Sequence, residues 1–104
     1  MKVVLLHGPV IVSSRQKLTE IKGNFDPNNI VVFESGSNPQ DILGALRTES
    51  MFGEERLVIV ENPASDFSLD SRLLTLDSTL LLWFDKEIDT KKYPGAEIHF
   101  FPEA

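Results

Sequence analysis

The sequence contains no cysteine among its 104 residues, which excludes disulfide bonds and metal sites built on thiolate ligands. Basic residues are also scarce, since 10 Lys and Arg stand against 16 Asp and Glu and give a net charge of −6. Such a surface repels a phosphate backbone, so we expect no direct contact with nucleic acid. The first apolar run, Val3 to Leu6, is too short for a signal sequence or a membrane span. We therefore expect a cytoplasmic protein with no membrane partner.

Five short apolar runs recur along the chain, whose length and 41% apolar composition suit one core. We expect residues 1–104 to form a single domain. The runs do not alternate polar with apolar residues, a pattern typical of strands buried on both faces of a parallel sheet. They are Val3 to His7, Ile30 to Glu34, Arg56 to Glu61, Thr79 to Asp85 and Glu97 to Phe101.

Three amphipathic segments between these runs predict helices. They are Ser13 to Lys22, Pro39 to Arg47 and Ser68 to Leu76. Ser13 and Gln16 fit a capping box at the start of the first helix, Gly23 suits its end, and Asn38 is the predicted N-cap of the second. Strands and helices in this alternation predict an α/β fold, a three-layer doubly wound domain with a five-stranded parallel sheet.

The loop after the first strand, GPVIVSSR, lies where a nucleotide-binding fold carries its phosphate loop. A working loop follows G-x-x-x-x-G-K-[ST], in which glycines expose backbone N–H groups, lysine reaches the phosphates and a hydroxyl holds magnesium. Gly8 fits, but Ser13, Ser14 and Arg15 replace the second glycine, the lysine and the hydroxyl residue. Pro9 also removes a backbone donor. We predict a degenerate loop that binds no ATP or GTP, and hence no cofactor.

Four polar residues end the apolar runs at the carboxyl edge of the predicted sheet, where ligands of such folds bind. They are His7, Glu34, Glu61 and Asp85. Three carboxylates and an imidazole could hold a divalent cation, but polar residues are expected wherever buried strands meet water, and we predict no metal site. Glu61 occupies the place of a Walker B acid, yet Glu61-Asn62 replaces the usual Asp-Glu. No serine or histidine fits a nucleophile motif, so we predict no catalytic residues.

The segment Ser50-Met51-Phe52-Gly53 places two large apolar residues beside a glycine, just before the third strand. Periodicity leaves two interpretations open: the pair packs back on the sheet, or it forms an exposed apolar knob. Flexible methionine beside an aromatic residue is a common composition for a protein-binding anchor.

The stretch QDILGALRTESMFGEERLVIVEN, Gln40 to Asn62, resembles the N-terminal domain of the delta subunit of the bacterial DNA polymerase III clamp loader. That family shows a helix, an apolar pair before Gly or Ala, then an Arg and an apolar strand ending in Glu-Asn. VVLLHGP resembles the family's opening strand and non-functional phosphate loop, and TLLLWFDKEIDTKKY resembles its fourth strand and the following loop. The resemblance covers essentially the whole chain and is most specific at Met51 to Asn62.

The resemblance implies an AAA+-like domain that has lost ATP hydrolysis and binds the sliding clamp, the beta subunit, in DNA replication. The family's apolar wedge maps onto Met51 and Phe52, with Gly53 and Arg56 beside them. The family protein continues with a lid and a collar domain, so we expect contacts with other clamp-loader subunits to require further domains. Two alternatives stay open: a divergent nucleotide-binding domain that uses Gly8, Ser13 and Glu61, and a structural domain that docks on neighbouring subunits.

Overall fold

The computed structural model describes residues 1–47, 55–64, 67 and 78–103, and these residues contain a five-stranded sheet in which all paired strands are parallel. The strands are β1 (Lys2–His7), β2 (Ile30–Phe33), β3 (Leu57–Glu61), β4 (Thr79–Trp83) and β5 (Glu97–Phe100). Their order across the sheet is β2-β3-β4-β1-β5. Each strand coincides with one of the five apolar runs to within a residue at either end of β1, β2, β3 and β5 and two residues at the end of β4, so the predicted parallel sheet is confirmed.

Burial separates the central strands from the edge strands. β1, β3 and β4 are buried along almost their whole length, as their unbroken apolar runs predict. The prediction of burial on both faces is wrong for β2 and β5, the two edge strands of the sheet, whose residues are all exposed or half-buried. Val32 of β2 and Ile98 and Phe100 of β5 each expose more than two fifths of their surface.

The two described α-helices, α1 (Ile11–Lys22) and α2 (Pro39–Arg47), cover opposite faces of the sheet. Successive residues of a strand point to opposite faces, so each central strand contributes to two separate cores. Leu18 of α1 packs with Val4, Leu6, Leu57, Ile59, Leu81 and Trp83. Ile42 and Leu46 of α2 pack with Val3, Leu5, Val58, Val60, Leu80, Leu82 and Phe84. The predicted three-layer α/β architecture is therefore confirmed.

The start of α1 differs from the sequence-based expectation. The helix begins at Ile11, two residues before Ser13, and its N-cap Val10 makes no side-chain capping bond. Ser13 and Gln16 therefore lie inside the helix, and the predicted capping box is wrong. The physical reason is that the Val10 N–H is held by the carbonyl of Phe101 at 3.3 Å, which fixes the chain before the helix and lets it begin earlier.

The other expected helix boundaries have mixed outcomes. Gly23 caps α1, donating its N–H to Thr19 O at 3.1 Å, and Asn38 Oδ1 accepts the Gln40 N–H at 2.8 Å at the start of α2. The predicted helix Ser68 to Leu76 lies outside the described residues. In the parts of the chain that the structure describes, no helix is long and apolar enough to cross a membrane.

Candidate functional site: the loop after β1 and the carboxyl edge of the sheet

Gly8 directly follows β1 and is the one position of the loop that matches a phosphate-binding motif. Its φ of 125° is a conformation that side chains disfavour, and a Cβ there would lie 2.4 Å from Phe101 O. Its N–H donates to Lys86 O at 3.1 Å. Glycine is thus required because the chain segments after β4 and β5 lie against this backbone, and no phosphate is needed to explain it.

The next two residues of the loop are also unsuited to an anion cradle. Pro9 has no N–H, and the Val10 N–H is bonded to Phe101 O. A phosphate loop works because several N–H groups point at the ligand. From Gly8 to Val10, every backbone donor that exists is already bonded to the protein itself, which supports the prediction of a degenerate loop.

Ser14 stands at the position of the phosphate-loop lysine and is completely buried. Its Oγ donates to Ile11 O at 3.0 Å and accepts the indole N–H of Trp83 at 3.0 Å. Trp83 is the last residue of β4 and is 4% exposed. A buried indole N–H requires a partner, and Ser14 supplies it. Ser14 therefore links α1 to the sheet, while Ser13 beside it is half-buried.

Arg15 stands at the position of the magnesium-binding hydroxyl and brings a positive charge to the site. Its guanidinium lies 3.9 Å above the centre of the Trp83 ring, and Nη2 lies 2.6 Å from Glu61 Oε1. The Glu61 side chain is 16% exposed and that of Arg15 is 43% exposed. Glu61, the counterpart of a Walker B acid, is thus neutralised by the chain's own arginine rather than directed at a metal.

His7 lies at the end of β1 and is 5% exposed. Its Nδ1 accepts the Ile88 N–H at 3.2 Å, and its ring stacks on Phe100 with centroids 4.9 Å apart. Burial lowers the pKa of His7, and Glu87 opposes that effect by favouring the charged ring. An imidazole nitrogen that accepts a hydrogen bond carries no proton, so the His7 ring is neutral. The same hydrogen bond holds the segment after β4 against His7 at the end of β1.

The remaining carboxylates of the carboxyl edge, Glu34 and Asp85, are exposed. Within the described ranges, no group of three or more His, Asp or Glu side chains is placed to hold a metal ion. The four strand-end residues that the sequence singled out are therefore dispersed, since His7 and Glu61 have separate protein partners.

Met51, Phe52 and Gly53 lie outside the described residues. Arg56, the fourth residue expected at a partner interface, is half-buried immediately before β3. Its Nη1 donates to Ala45 O of α2 at a long 3.4 Å, and its Nε is buried with no hydrogen-bond partner among the described residues. Arg56 therefore connects the end of α2 to the start of β3, the two elements that flank the apolar pair.

Two features of this site, the contacts of Trp83 and the conformation of Asn62, were not predicted from the sequence. Trp83 lies in the fourth apolar run, but its contacts with Ser14 and Arg15 link residues 68 or more positions apart, so no local sequence signal predicts them. Asn62, which follows Glu61 where the second acid of a Walker B pair would stand, adopts a left-handed conformation with φ 45°. Its Oδ1 accepts the Asp85 N–H at 3.2 Å and its Nδ2 donates to Ser35 Oγ at 3.2 Å.

The chain is similar to the Bacillus subtilis DNA clamp loader delta protein (YqeN), with a TM-score of 0.76, 20% sequence identity and coverage of 100% of this chain. It has the fold of the matched part of that protein. The chain spans 39% of the length of the delta protein it matches. No family model matches the sequence, and no curated protein matches it either. The resemblance to a clamp-loader delta protein is therefore confirmed for the α/β fold with its five-stranded parallel sheet.

Proposed function

We propose that this chain is a non-catalytic protein-interaction domain of a clamp-loader delta-like subunit, which binds the sliding clamp and helps to open it in DNA replication. The observation that carries the proposal is the fold shared with a clamp loader delta protein along the whole chain. Other loader subunits join the list of partners if further domains accompany this one. We place its action in the cytoplasm, where replication of a bacterial chromosome takes place.

The state of the former nucleotide site is consistent with an interaction domain rather than an enzyme. Ser14 hydrogen-bonds Trp83, Arg15 pairs with Glu61, and the N–H groups of Gly8 and Val10 bond to backbone carbonyls. A nucleotide would have to displace these contacts before it met any phosphate-binding group. The alternative of a divergent nucleotide-binding domain is therefore disfavoured.

We assign clamp contact to Met51 and Phe52, with Gly53 and Arg56 supporting them. Large apolar side chains that fill a pocket on a partner commonly carry about 2 kcal/mol or more each in a protein interface. The bond between Arg56 and Ala45 O supports this assignment, because it joins the elements on both sides of the pair. In this proposal Arg56 positions the apolar pair, and Met51 and Phe52 make the contact.

Opening a ring requires the binder to prefer the open form over the closed form. A ligand that binds two states equally shifts nothing, whereas a preference of a few kcal/mol changes their ratio about a hundredfold or more. A non-catalytic domain meets this requirement by binding alone. No nucleotide chemistry is needed in the domain that contacts the clamp.

The test is a titration of isotope-labelled domain with the unlabelled sliding clamp of the same organism, followed by NMR. We expect shifts or broadening centred on residues 50–56. Replacing Met51 and Phe52 together by Ala should weaken binding by at least about a hundredfold, because two anchors of about 2 kcal/mol each are removed.

The matched control is the double variant Ile11→Ala and Val12→Ala, which also removes two apolar side chains. Ile11 and Val12 are 47% and 70% exposed at the start of α1, away from the α2-to-β3 connection. This control should bind the clamp like the unmodified chain. An unchanged dissociation constant for the Met51 and Phe52 variant, with its circular dichroism intact, would sink the assignment.

A thermal-shift measurement with Mg-ATP separates the proposal from the nucleotide-binding alternative. A ligand present at a hundred times its dissociation constant stabilises a protein by about 2.7 kcal/mol. We expect no shift, and a rise of several degrees that Arg15→Ala or Glu61→Gln abolishes would favour the alternative.

A further inference from the structure

The strand β5 lies at one edge of the sheet and carries two large apolar side chains on one face. Among the described strands it pairs with β1 alone. Ile98 and Phe100 are each 44% exposed, and they share a face because they are two residues apart in a strand. Ile98 aligns with Leu5, so this is the face that α2 covers elsewhere. An edge strand with exposed apolar side chains is suited to pairing with a further strand.

The backbone groups of β5 alternate between β1 and the outer edge. The Phe101 N–H donates to His7 O at 2.9 Å, and Phe101 O accepts the Val10 N–H at 3.3 Å. Phe101 therefore directs both of its backbone groups towards β1. Successive residues of a strand direct these groups to opposite sides, so the N–H and C=O groups of Ile98 and Phe100 are directed to the outer edge. These groups can form a ladder with a further strand.

Two prolines limit the length of such a ladder. Pro94 and Pro102 stand four residues before and four residues after Ile98, and neither has an N–H. The Ala96 N–H donates to Tyr93 O at a long 3.4 Å. The outer edge is therefore a short segment, residues 96–100, that is centred on Ile98. A segment limited symmetrically about one residue suits pairing with a copy of itself about a two-fold axis.

The opposite face of β5 carries a carboxylate and an imidazole. Glu97 and His99 have side chains that are 54% and 31% exposed, and His99 Nε2 lies 3.0 Å from Glu97 Oε2. This hydrogen bond lowers the pKa of Glu97, and the charges of Lys2 and Lys17 act in the same direction. Glu97 is therefore ionised, and its carboxylate and the imidazole are both accessible at the edge.

Antiparallel pairing of two copies of β5 makes this pair complementary across the strands. When Ile98 lies opposite Ile98 of the second copy, Glu97 of each strand lies opposite His99 of the other. The two Ile98 residues exchange hydrogen bonds, so the neighbouring Glu97 and His99 positions form non-hydrogen-bonded pairs, in which Cα atoms approach to about 4.5 Å. Oppositely charged side chains at such positions stabilise the pairing of two strands.

A second register satisfies the backbone equally well but mismatches the side chains. With the two-fold axis at His99, the Ile98 and Phe100 groups still form a ladder, but His99 lies opposite His99 and Glu97 lies opposite Phe101. The axis at Ile98 instead places the large Phe100 opposite the small Ala96 on the apolar face. Charge and size therefore both select the axis at Ile98.

We propose that β5 pairs antiparallel with β5 of a second copy of this chain about a two-fold axis at Ile98, which joins the two sheets in a homodimer. A two-fold contact of this kind is complete with two copies and forms no filament. The contact is small, so we expect a dissociation constant on the order of 100 µM. β4 and β1 separate β5 from β3, so the dimer contact does not involve Arg56.

The experiment is sedimentation velocity of the 104-residue chain, from about a tenth of the expected dissociation constant to about ten times it. We expect a concentration-dependent equilibrium between monomer and dimer. Hydrogen exchange followed by NMR over the same range should show slower exchange of the Ile98 and Phe100 amides at high concentration, because both N–H groups become bonded in the dimer.

A charge exchange between two variants tests the register. Glu97→Lys places a cation opposite His99 in both symmetric pairs, and His99→Glu places two carboxylates opposite each other. Each variant alone should dimerise about tenfold more weakly than the unmodified chain. An equimolar mixture of the two should recover the dimer, because the lysine introduced in one copy lies opposite the glutamate introduced in the other.

Glu34→Lys is the matched control for Glu97→Lys. Glu34 is exposed and follows β2, the other edge strand, and the substitution changes the charge by the same amount. Either change makes an acidic chain less negative, which by itself favours association. The control should therefore dimerise at least as tightly as the unmodified chain, whereas Glu97→Lys should dimerise more weakly. Circular dichroism checks that each variant is folded.

Four results would overturn the proposal. The first is a monomer at every concentration, and the second is a mass that grows beyond the dimer, which indicates a contact that does not close. The third is dimerisation of Glu97→Lys as tight as that of the unmodified chain or of Glu34→Lys. The fourth is a mixture of Glu97→Lys and His99→Glu that associates no more tightly than either variant alone.

Discussion

Replacing Arg15 by alanine tests whether the start of α1 is held to the carboxyl edge of the sheet by the cation of Arg15. The variant removes an ion pair to Glu61 and a guanidinium stacked on Trp83. Because the Arg15 side chain is 43% exposed, the ion pair and the stacking are worth about 0.5 kcal/mol each, at the low end of their ranges. Glu61 is 16% exposed and loses its partner, which costs about 1 kcal/mol more.

The expected loss of unfolding free energy is therefore about 2 kcal/mol, which for a domain of this size lowers Tm by ~10 °C. Urea unfolding measures the loss by circular dichroism and by fluorescence. Trp83 is the single tryptophan of the chain, so its emission reports directly on this site. We expect a changed emission maximum in the folded variant, since the ring gains exposure to water.

Two further variants divide the effect into its parts. Arg15→Lys retains the charge but loses the planar group that stacks on Trp83, and we expect it to lose about 1 kcal/mol. A double-mutant cycle of Arg15→Ala with Glu61→Gln should give a coupling energy of about 0.5–1 kcal/mol. The reasoning is refuted if Arg15→Ala loses less than about 0.5 kcal/mol and leaves the emission of Trp83 unchanged.

Two other predictions concern the segments packed against β1. Gly8→Ala should lower the free energy of unfolding, measured in urea, by about 2 kcal/mol or more, because it combines a strained φ with a Cβ 2.4 Å from Phe101 O. A change within about 0.5 kcal/mol would contradict that packing. Burial lowers the folded-state pKa of His7 below its ordinary value, so its stabilising contribution is complete above the unfolded pKa of about 6.5 and declines as pH falls through the folded pKa. The free energy of unfolding should therefore be lower at pH 5.5 than at pH 7.5, and His7→Phe should reduce this difference. An equal difference in both proteins would rule out His7 as its source.

The fold was largely predictable because its signals are local. Unbroken apolar runs of β-branched and aliphatic residues identify buried strands, and Asn38-Pro39 identifies the start of α2 without knowledge of any distant residue. The exposure of Val32, Ile98 and Phe100 was not predictable, because their runs resemble those of the central strands. Strand order alone decides which runs become edges, and strand order depends on crossovers between distant segments.

The same distinction between local signals and contacts of distant segments applies to the candidate site. The sequence by itself determined that Ser13, Ser14 and Arg15 depart from the phosphate-loop motif, since none of them is the glycine, lysine or hydroxyl residue that the motif requires at its position. Tertiary structure alone decided what these residues do instead, because Trp83 and Glu61 reach Ser14 and Arg15 only after parallel strands align at one edge. The same alignment brings Asn62, Phe84 and Tyr93 together around a pocket at the carboxyl ends of β3 and β4. These residues lie up to 31 positions apart, so no local sequence signal predicts the pocket.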